Sequence, residues 1–228
     1  MMENYTVICK NVKKTFFSVS GQVEALRDVN LKVKEDELVM LMGPSGSGKT
    51  TLLSVIGAIL RHTKGEITVL NENLKELSGD NRTLFRGKNI GFVFQSFNLI
   101  PYLNVQENVA IPLFIQKVER EKALDIAKGL LLKMDLKHIL DRYPKEISGG
   151  EQQRVSIARG YIHNPKIILC DEPTSYLDAE NGKRVMQILK DIQKANKSSL
   201  IVVTHDPRIV DYADRIIEIQ DGIIKNEK

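Results

Sequence analysis

The sequence has no tryptophan, four histidines and two cysteines, Cys9 and Cys170, in 228 residues. Two cysteines without a C-x-x-C pair or a Cys/His cluster exclude a zinc site and a disulfide framework, and reduced thiols are the default expectation. No apolar stretch approaches the roughly 18 residues that span a bilayer, so the chain is not expected to cross a membrane itself. The opening MMENYTVICKNVKK lacks the basic-then-apolar pattern of a secretory signal. A large excess of one charge is missing as well. With 33 basic against 29 acidic residues the net charge is +4 and the lysines are dispersed, which argues against a nucleic-acid partner. Fifteen glycines and seven prolines leave no low-complexity tract, and no internal repeat is visible. The remaining composition, 42% hydrophobic and 27% charged, fits one large globular domain or a core with an inserted subdomain.

What is present is concentrated in Glu37 to Leu53, ELVMLMGPSGSGKTTLL. The apolar run Leu38 to Met42 predicts a buried strand. Gly43-Pro44-Ser45-Gly46-Ser47-Gly48 follows as a loop, and Lys49-Thr50-Thr51-Leu52-Leu53 begins a helix. This is G-x-x-x-x-G-K-[ST], the phosphate-binding loop, in the strand–loop–helix setting that the motif requires. Glycines let backbone amides approach phosphate oxygens, and the helix N-terminus adds to the anion site. Lys49 is placed to bridge β- and γ-phosphates, and the Thr50 hydroxyl to bind Mg²⁺.

Elsewhere the pattern alternates strands and helices. Residues 5–11 and 29–33 read as strands, separated by Phe16-Phe17 and a polar loop around Gly21. Strands are also expected at 66–70 and 90–94, with mostly loop and a short helix over 71–89. From about 98 to 162 strand signals vanish, and 104–117, 119–134 and 149–162 carry helical periodicity. The continuous apolar runs Ile167 to Cys170 and Leu200 to Val203 are those of parallel strands buried on both faces. A helix at 179–195 separates them, and 215–219 with 223–224 forms a closing hairpin around Asp221-Gly222. About 125 residues separate the phosphate-loop strand from the strand at 167, too many for one crossover helix. The fold class expected is α/β. A P-loop NTPase core with a mostly parallel sheet carries an N-terminal antiparallel β-subdomain and an inserted α-helical subdomain. The core is placed at 1–95 and 163–228, the helical subdomain at about 96–162, within a single domain 1–228.

Three further stretches carry chemistry. Asp171-Glu172 ends an apolar strand, where open α/β sheets place ligands. Asp171 can hold Mg²⁺, and Glu172 can orient or deprotonate an attacking water. His205 ends the next apolar strand and can donate a hydrogen bond to a γ-phosphate. His62, His138 and His163 read as ordinary surface or capping histidines. Ser148-Gly149-Gly150 opens the third helix of the helical segment and makes a second anion site. One chain with two phosphate sites points to a sandwich, in which one copy's phosphate loop faces another copy's Ser148.

In these residues the chain resembles, from end to end, the ATP-binding cassette (ABC) ATPases. The loop 43–51 is similar to Walker A, Gln95 to the Q-loop glutamine, and Ile147-Ser148-Gly149-Gly150-Glu151 to the signature motif. Ile168 to Glu172 resembles Walker B with its catalytic glutamate, Ser175 to Asp178 the D-loop, and His205 the switch histidine. GPSGSGKTTLL, IGFVFQSFNLIPYLNVQENVAIPL and SGGEQQR further resemble the subfamily of lipoprotein-release, macrolide, antimicrobial-peptide and haem-export ATPases. Ile147 stands where Leu is usual, Glu151 where Gln is common, and Cys170 where Ala is common.

The resemblance implies ATP and Mg²⁺ as ligands and a head-to-tail homodimer with two ATP molecules at its seam. Catalytic roles fall to Glu172, His205, Gln95 and Lys49. Nucleotide contacts fall to Gly43, Ser45, Gly46, Ser47, Gly48, Lys49, Thr50 and Thr51, and, from the opposite chain, Ser148, Gly149 and Gly150. Phe16 is in register for stacking on adenine, and the choice between it and Phe17 stays open. The metal ligands are Thr50, Gln95 and Asp171. The partner implied is an integral membrane permease, met through Phe97 to Leu103, which places the chain peripherally on the cytoplasmic face of the plasma membrane. The function implied is energising that permease, as an exporter or a force-transmitting system. An importer ATPase or the regulator of a non-transporting membrane complex is the alternative. The transported substrate is not written in this chain.

Overall fold

The computed structural model describes residues 4–19 and 21–228. In chain order, β1 (Tyr5–Ser18) and β2 (Gly21–Lys34) form a long hairpin, and β3 (Leu38–Met42) leads into α1 (Lys49–Ile56). Next come β4 (Lys64–Val69), β5 (Glu72–Asn73), α2 (Gly79–Asn89) and β6 (Ile90–Val93). The helices α3 (Val105–Ile115), α4 (Arg120–Lys133) and α5 (Gly149–Tyr161) follow. The chain closes with β7 (Ile167–Asp171), α6 (Ala179–Asn196), β8 (Ser199–Val203), β9 (Arg215–Gln220) and β10 (Ile223–Glu227).

Among the described residues the strands form two sheets, β2-β1-β4-β5 and β10-β9-β3-β8-β7-β6. The first is antiparallel. In the second, β9, β3, β8, β7 and β6 run parallel, and β10 folds back antiparallel on β9. The two-residue connection Asp221-Gly222 has positive φ at both positions, 51° and 76°, the geometry that suits a tight hairpin turn.

The unbroken apolar runs have a direct cause. Successive side chains of a strand point to opposite faces. Leu38, Met40, Ile168, Cys170, Leu200 and Val202 therefore join one core, which is continuous with the buried faces of α3 to α6. Val39, Leu41, Ile167, Leu169, Ile201 and Val203 join a second core with α1 and the antiparallel sheet. With both faces covered, these strands are apolar along Leu38–Leu41, Ile167–Cys170 and Leu200–Val203, and the polar Ser199 and Asp171 stand only at strand ends. The carboxyl ends of β3 and β7 are thereby fixed side by side across β8.

The first hairpin differs from the sequence reading. Strand is expected at 5–11 and 29–33 with a loop between, but the strands run on to Ser18 and from Gly21. Register shifts between Cys9 and Val12, Val12 and Lys14, and Lys14 and Thr15 break the in–out alternation. Beyond Lys13 the ribbon loses β4, and from the Thr15–Glu24 pair outward its side chains are exposed or half-buried, so no hydrophobic pattern marks it. Over 71–89, where mostly loop with a short helix is expected, the helix is α2 at Gly79–Asn89, and β5 adds a two-residue strand at Glu72–Asn73. Arg82 on α2 is buried and donates to the carbonyls of Ala58, Leu60 and Leu74 at 2.7–2.9 Å, which ties a polar helix to the core.

Candidate nucleotide site

The phosphate loop wraps a cavity of about 480 Å³ lined by Gly43 through Thr51 together with Ala25, Gln95, Glu172 and His205. Gly48 caps α1 at φ 100°, and a Cβ there would come within 2.4 Å of the Ala25 carbonyl oxygen. Gly43, at φ 148°, would meet the Ile219 carbonyl at 2.0 Å. Only glycine fits either place. The β9–β10 turn braces the loop from behind, because the Gly222 amide donates to the Ser47 carbonyl at 2.9 Å.

Lys49 is buried, and its Nζ donates to the Gly43 and Pro44 carbonyls, both at 2.8 Å. Burial lowers its pKa, while the carboxylates of Glu172 and Asp171 work against that shift. A cation facing loop carbonyls is a donor set held ready for phosphate oxygens. At the carboxyl end of β7, Thr50 Oγ1 donates to Asp171 Oδ1 at 3.0 Å. Burial raises the Asp171 pKa, partly offset by the Thr50 hydrogen bond. Cys170, one residue earlier, is fully buried and its thiol is pushed far up, so it is held as an inert core residue.

Glu172 follows with φ 50°, a left-handed conformation uncommon for such a residue. Its amide donates to the Val203 carbonyl at 2.9 Å. One carboxylate oxygen lies 2.7 Å from His205 Nδ1, while the other, Oε2, is buried without a hydrogen-bond partner. An orphaned carboxylate oxygen beside a phosphate cradle is the atom that would accept a proton or position a water. Asp206, next to His205, is fixed by Arg208 and by Thr174, whose hydroxyl donates to it at 3.1 Å. The Arg208 hydrogen bond outweighs burial and holds the Asp206 carboxyl down at about 2.

Ser148, Gly149 and Gly150 are not part of this cavity. Ser148 caps α5, and its hydroxyl and amide both donate to Glu151 Oε2, at 2.7 and 2.8 Å. His138 Nε2 lies 2.8 Å from the other Glu151 oxygen. His138, read from sequence as an ordinary surface or capping histidine, thus holds the second oxygen of the glutamate that forms the Ser148–Glu151 capping box. Burial works against the Glu151 charge, but the bonds from Ser148 and His138 outweigh it and pull the carboxyl down to about 2.

Phe16 also stands outside the cavity lining, 41% exposed against 76% for Phe17. Its cross-strand partner is Val23, two residues from the cavity residue Ala25, whereas Phe17 pairs with Gln22. Ala25 was missed from sequence, since nothing in a small half-buried residue signals that a bulged hairpin folds over the loop. Of Phe97 to Leu103, Asn98 and Ile100 line an apolar groove of about 370 Å³ together with Ile59, Phe92, Phe94, Ile111 and Ile115. Leu99 packs instead against the core, and Tyr102 is 90% exposed. Among the described residues no three His, Cys, Asp or Glu side chains converge as a metal cage, and no helix is long and apolar enough to cross a membrane.

Three comparisons with known proteins bear on this arrangement. The profile of the family described as "ABC transporter" matches residues 26–175. A Staphylococcus haemolyticus protein, provisionally named hemin import ATP-binding protein HrtA, is 44% identical over 216 residues, covering 95% of this chain and 97% of that protein. The bacitracin export ATP-binding protein BceA of Halalkalibacterium halodurans is 38% identical over 214 residues, covering 94% of this chain and 85% of that one. The fold superposes on the ATP-binding cassette MJ0796 of Methanocaldococcus jannaschii, solved as a dimer in a post-hydrolysis state bound to ADP and Pi. The TM-score is 0.91 with 41% identity, and 97% of each chain is covered.

Proposed function

The chain belongs to the ABC transporter family as its ATP-binding, ATP-hydrolysing subunit, and from that premise we propose how its residues share the work. ATP lies along the loop 43–51 with its phosphates over the start of α1. Lys49 exchanges the Gly43 and Pro44 carbonyls for β- and γ-phosphate oxygens. Phe16, near the cavity end of the hairpin, stacks on the adenine. Ser148, Gly149 and Gly150 of a second copy close over the γ-phosphate from the far side, which makes the working unit a head-to-tail homodimer. The dimeric structure of the MJ0796 cassette supports this reading.

Mg²⁺ fits the residues present. The Thr50 hydroxyl and the Asp171 carboxylate already touch at 3.0 Å, and Gln95 lines the same cavity, a sparse oxygen set that phosphate oxygens and water complete. When bound, the ion would neutralise phosphate charge during phosphoryl transfer. In the reaction, a water oxygen attacks the γ-phosphorus, the bond to the ADP oxygen breaks, and Glu172 Oε2 takes the water's proton. His205 steadies Glu172 through Nδ1 and reaches the γ-phosphate through its other nitrogen. Gln95 follows β6 and carries the presence of the γ-phosphate toward the groove around Ile100. We assign that groove, its apolar walls and its position between α3, α5 and β6, to the permease. Docking there sets the chain on the cytoplasmic face of the plasma membrane, with 96–162 acting as the helical subdomain that moves against the core.

The observation that carries the catalytic assignment is the Glu172 carboxylate, bonded to His205 on one oxygen and orphaned on the other, at the mouth of the phosphate cavity. Glu172→Gln should bind ATP, lose turnover and accumulate as a nucleotide-trapped dimer, measured by light scattering with Mg-ATP. Hydrolysis at near wild-type rate by that variant overturns the assignment. For direction, the wording of residues 91–112 favours an exporter or force-transmitting system. Import is the second reading, carried by the name of the Staphylococcus relative. Uptake against efflux of labelled substrate in cells with and without the subunit separates the two.

A further inference from the structure

Gln153 lies in the second turn of α5, 1% exposed. Its Nε2 donates to the Pro173 carbonyl at 2.8 Å, and its Oε1 is buried with no hydrogen-bond partner. A buried amide that satisfies only its donor side costs free energy, and the side chain is held there by one interaction, the bond to Pro173. Pro173 directly follows Glu172, whose φ of 50° is a sparsely populated conformation that its surroundings must hold.

The turn 172–174 is clamped on its other sides by the core. The Glu172 amide donates to Val203 of β8, and the Thr174 hydroxyl donates to Asp206 beside His205. Gln153 is the tie that comes from the helix whose cap is Ser148. The two segments also pack closely nearby. A Cβ added to Gly150 would stand 3.2 Å from Asn181 Oδ1, and Asn181 donates twice to Asp178, at 2.7 and 2.9 Å. The first turns of α5 therefore lie close against the segment 172–181, with Gln153 supplying the hydrogen bond between them.

We propose that Gln153 is a positioning residue that links the two nucleotide sites of the dimer. This rests on the sandwich reading above. In that dimer the Ser148 end of α5 meets the ATP held by the partner chain, while Glu172 serves the ATP held by its own chain. A helix is stiff along its length, so a shift of its capped end reaches Gln153 with little loss. The buried hydrogen bond passes that shift to the Pro173 carbonyl, and the resulting tilt of the Pro173–Thr174 peptide moves the adjoining turn and re-aims the Glu172 carboxylate. Filling one site thereby prepares the other for hydrolysis.

The test uses the full chain with Mg-ATP and compares wild type, Gln153→Met and Val155→Ala. Methionine keeps the length of glutamine and removes the donor. Val155 is buried on the same helix, and its truncation should lower stability while leaving the Gln153–Pro173 hydrogen bond in place. Wild type should show positive cooperativity in ATP, with a Hill coefficient approaching about 2 for two sites. Gln153→Met should fall toward about 1 and lose about ten- to a hundredfold in kcat, the scale of a misplaced catalytic group. Its ATP affinity as a monomer should be unchanged. Val155→Ala should lower the thermal midpoint and keep the cooperativity. If Gln153→Met does not fold, Gln153→Asn, whose amide stops one methylene short, should give the same loss. A Gln153→Met protein with wild-type cooperativity and kcat overturns the link while leaving the dimer intact. A Glu172→Gln protein that stays monomeric with ATP, with no cooperativity in wild type, overturns the link together with the sandwich.

Discussion

His205 Nδ1 and Glu172 Oε1 stand 2.7 Å apart, joining the residues that follow β8 and β7 at the edge of the phosphate cavity. The contact is one-sided in its setting. The Glu172 side chain is 12% exposed and His205 is 68% exposed, so the carboxylate depends on the imidazole more than the reverse. His205→Ala would leave both Glu172 oxygens without a donor, free to turn away from the water that the proposed reaction assigns to them. The expected loss is about 10²–10⁴ in kcat with ATP binding retained within a few fold. Steady-state hydrolysis and a fluorescent-nucleotide titration measure the two. Hydrolysis by His205→Ala at the wild-type rate would show that Glu172 needs no such support.

Glu151 makes the signature stretch sensitive to acid. Its carboxyl is lowered from the usual 4.5 to about 2 in the folded chain. A depressed carboxyl stabilises the fold above its unfolded value, and that contribution is lost as pH falls toward the folded value. Asp206 acts in the same direction, lowered from 3.8 to about 2. Glu151→Gln should lower the thermal midpoint at pH 7, and the gap to wild type should close as pH drops from about 4.5 toward about 2. Thermal melts across that range check it. A gap that is independent of pH would remove the charge of Glu151 from the account and leave only its shape.

Much of this site was legible because its parts are local. The phosphate loop is contiguous, and the buried strands that deliver Asp171-Glu172 and His205 announce themselves as apolar runs that both cores demand. What escaped depends on contacts between distant residues or on surfaces without pattern. His138 and Glu151 meet only because a tight helical turn at Lys137–Ile139 folds beside the cap of α5. Gln153 finds Pro173 twenty residues on, across an interface that no spacing rule describes. The outer half of the β1–β2 hairpin is held by backbone pairing between exposed side chains, so neither alternation nor composition marks it.

The close approach of α5 to β6 predicts a stability effect away from the chemistry. A Cβ on Gly91 would come within 2.1 Å of the Gly160 carbonyl oxygen, and one on Gly160 within 2.8 Å of the Phe92 carbonyl oxygen. Neither position has room, so an alanine must push helix and strand apart. Gly91→Ala should cost about 1–3 kcal/mol by overpacking. A chain of this size should then melt about 2–4 °C lower per kcal/mol. Calorimetry measures it, and an unchanged midpoint would mean that α5 is loosely seated on the sheet.

Ser148 separates binding from hydrolysis most cleanly. It is exposed, caps α5, and is absent from the lining of its own chain's cavity, which Lys49, Thr50 and the loop amides fill. An isolated chain should therefore bind ATP without it. In the proposed sandwich, Ser148 would face the partner's γ-phosphate, and an arginine there would be too long to let the two copies close. Ser148→Arg should abolish hydrolysis, by at least the 10²–10³ expected for loss of one donor to a charged transition state. Its monomer should keep wild-type affinity for ATP, measured by calorimetric titration below the dimerisation concentration. Combined with Glu172→Gln, it should stay monomeric in Mg-ATP where Glu172→Gln alone dimerises. Loss of monomer binding would instead place Ser148 in its own chain's site, and a dimer that forms despite the arginine would mean that the two copies meet through another surface.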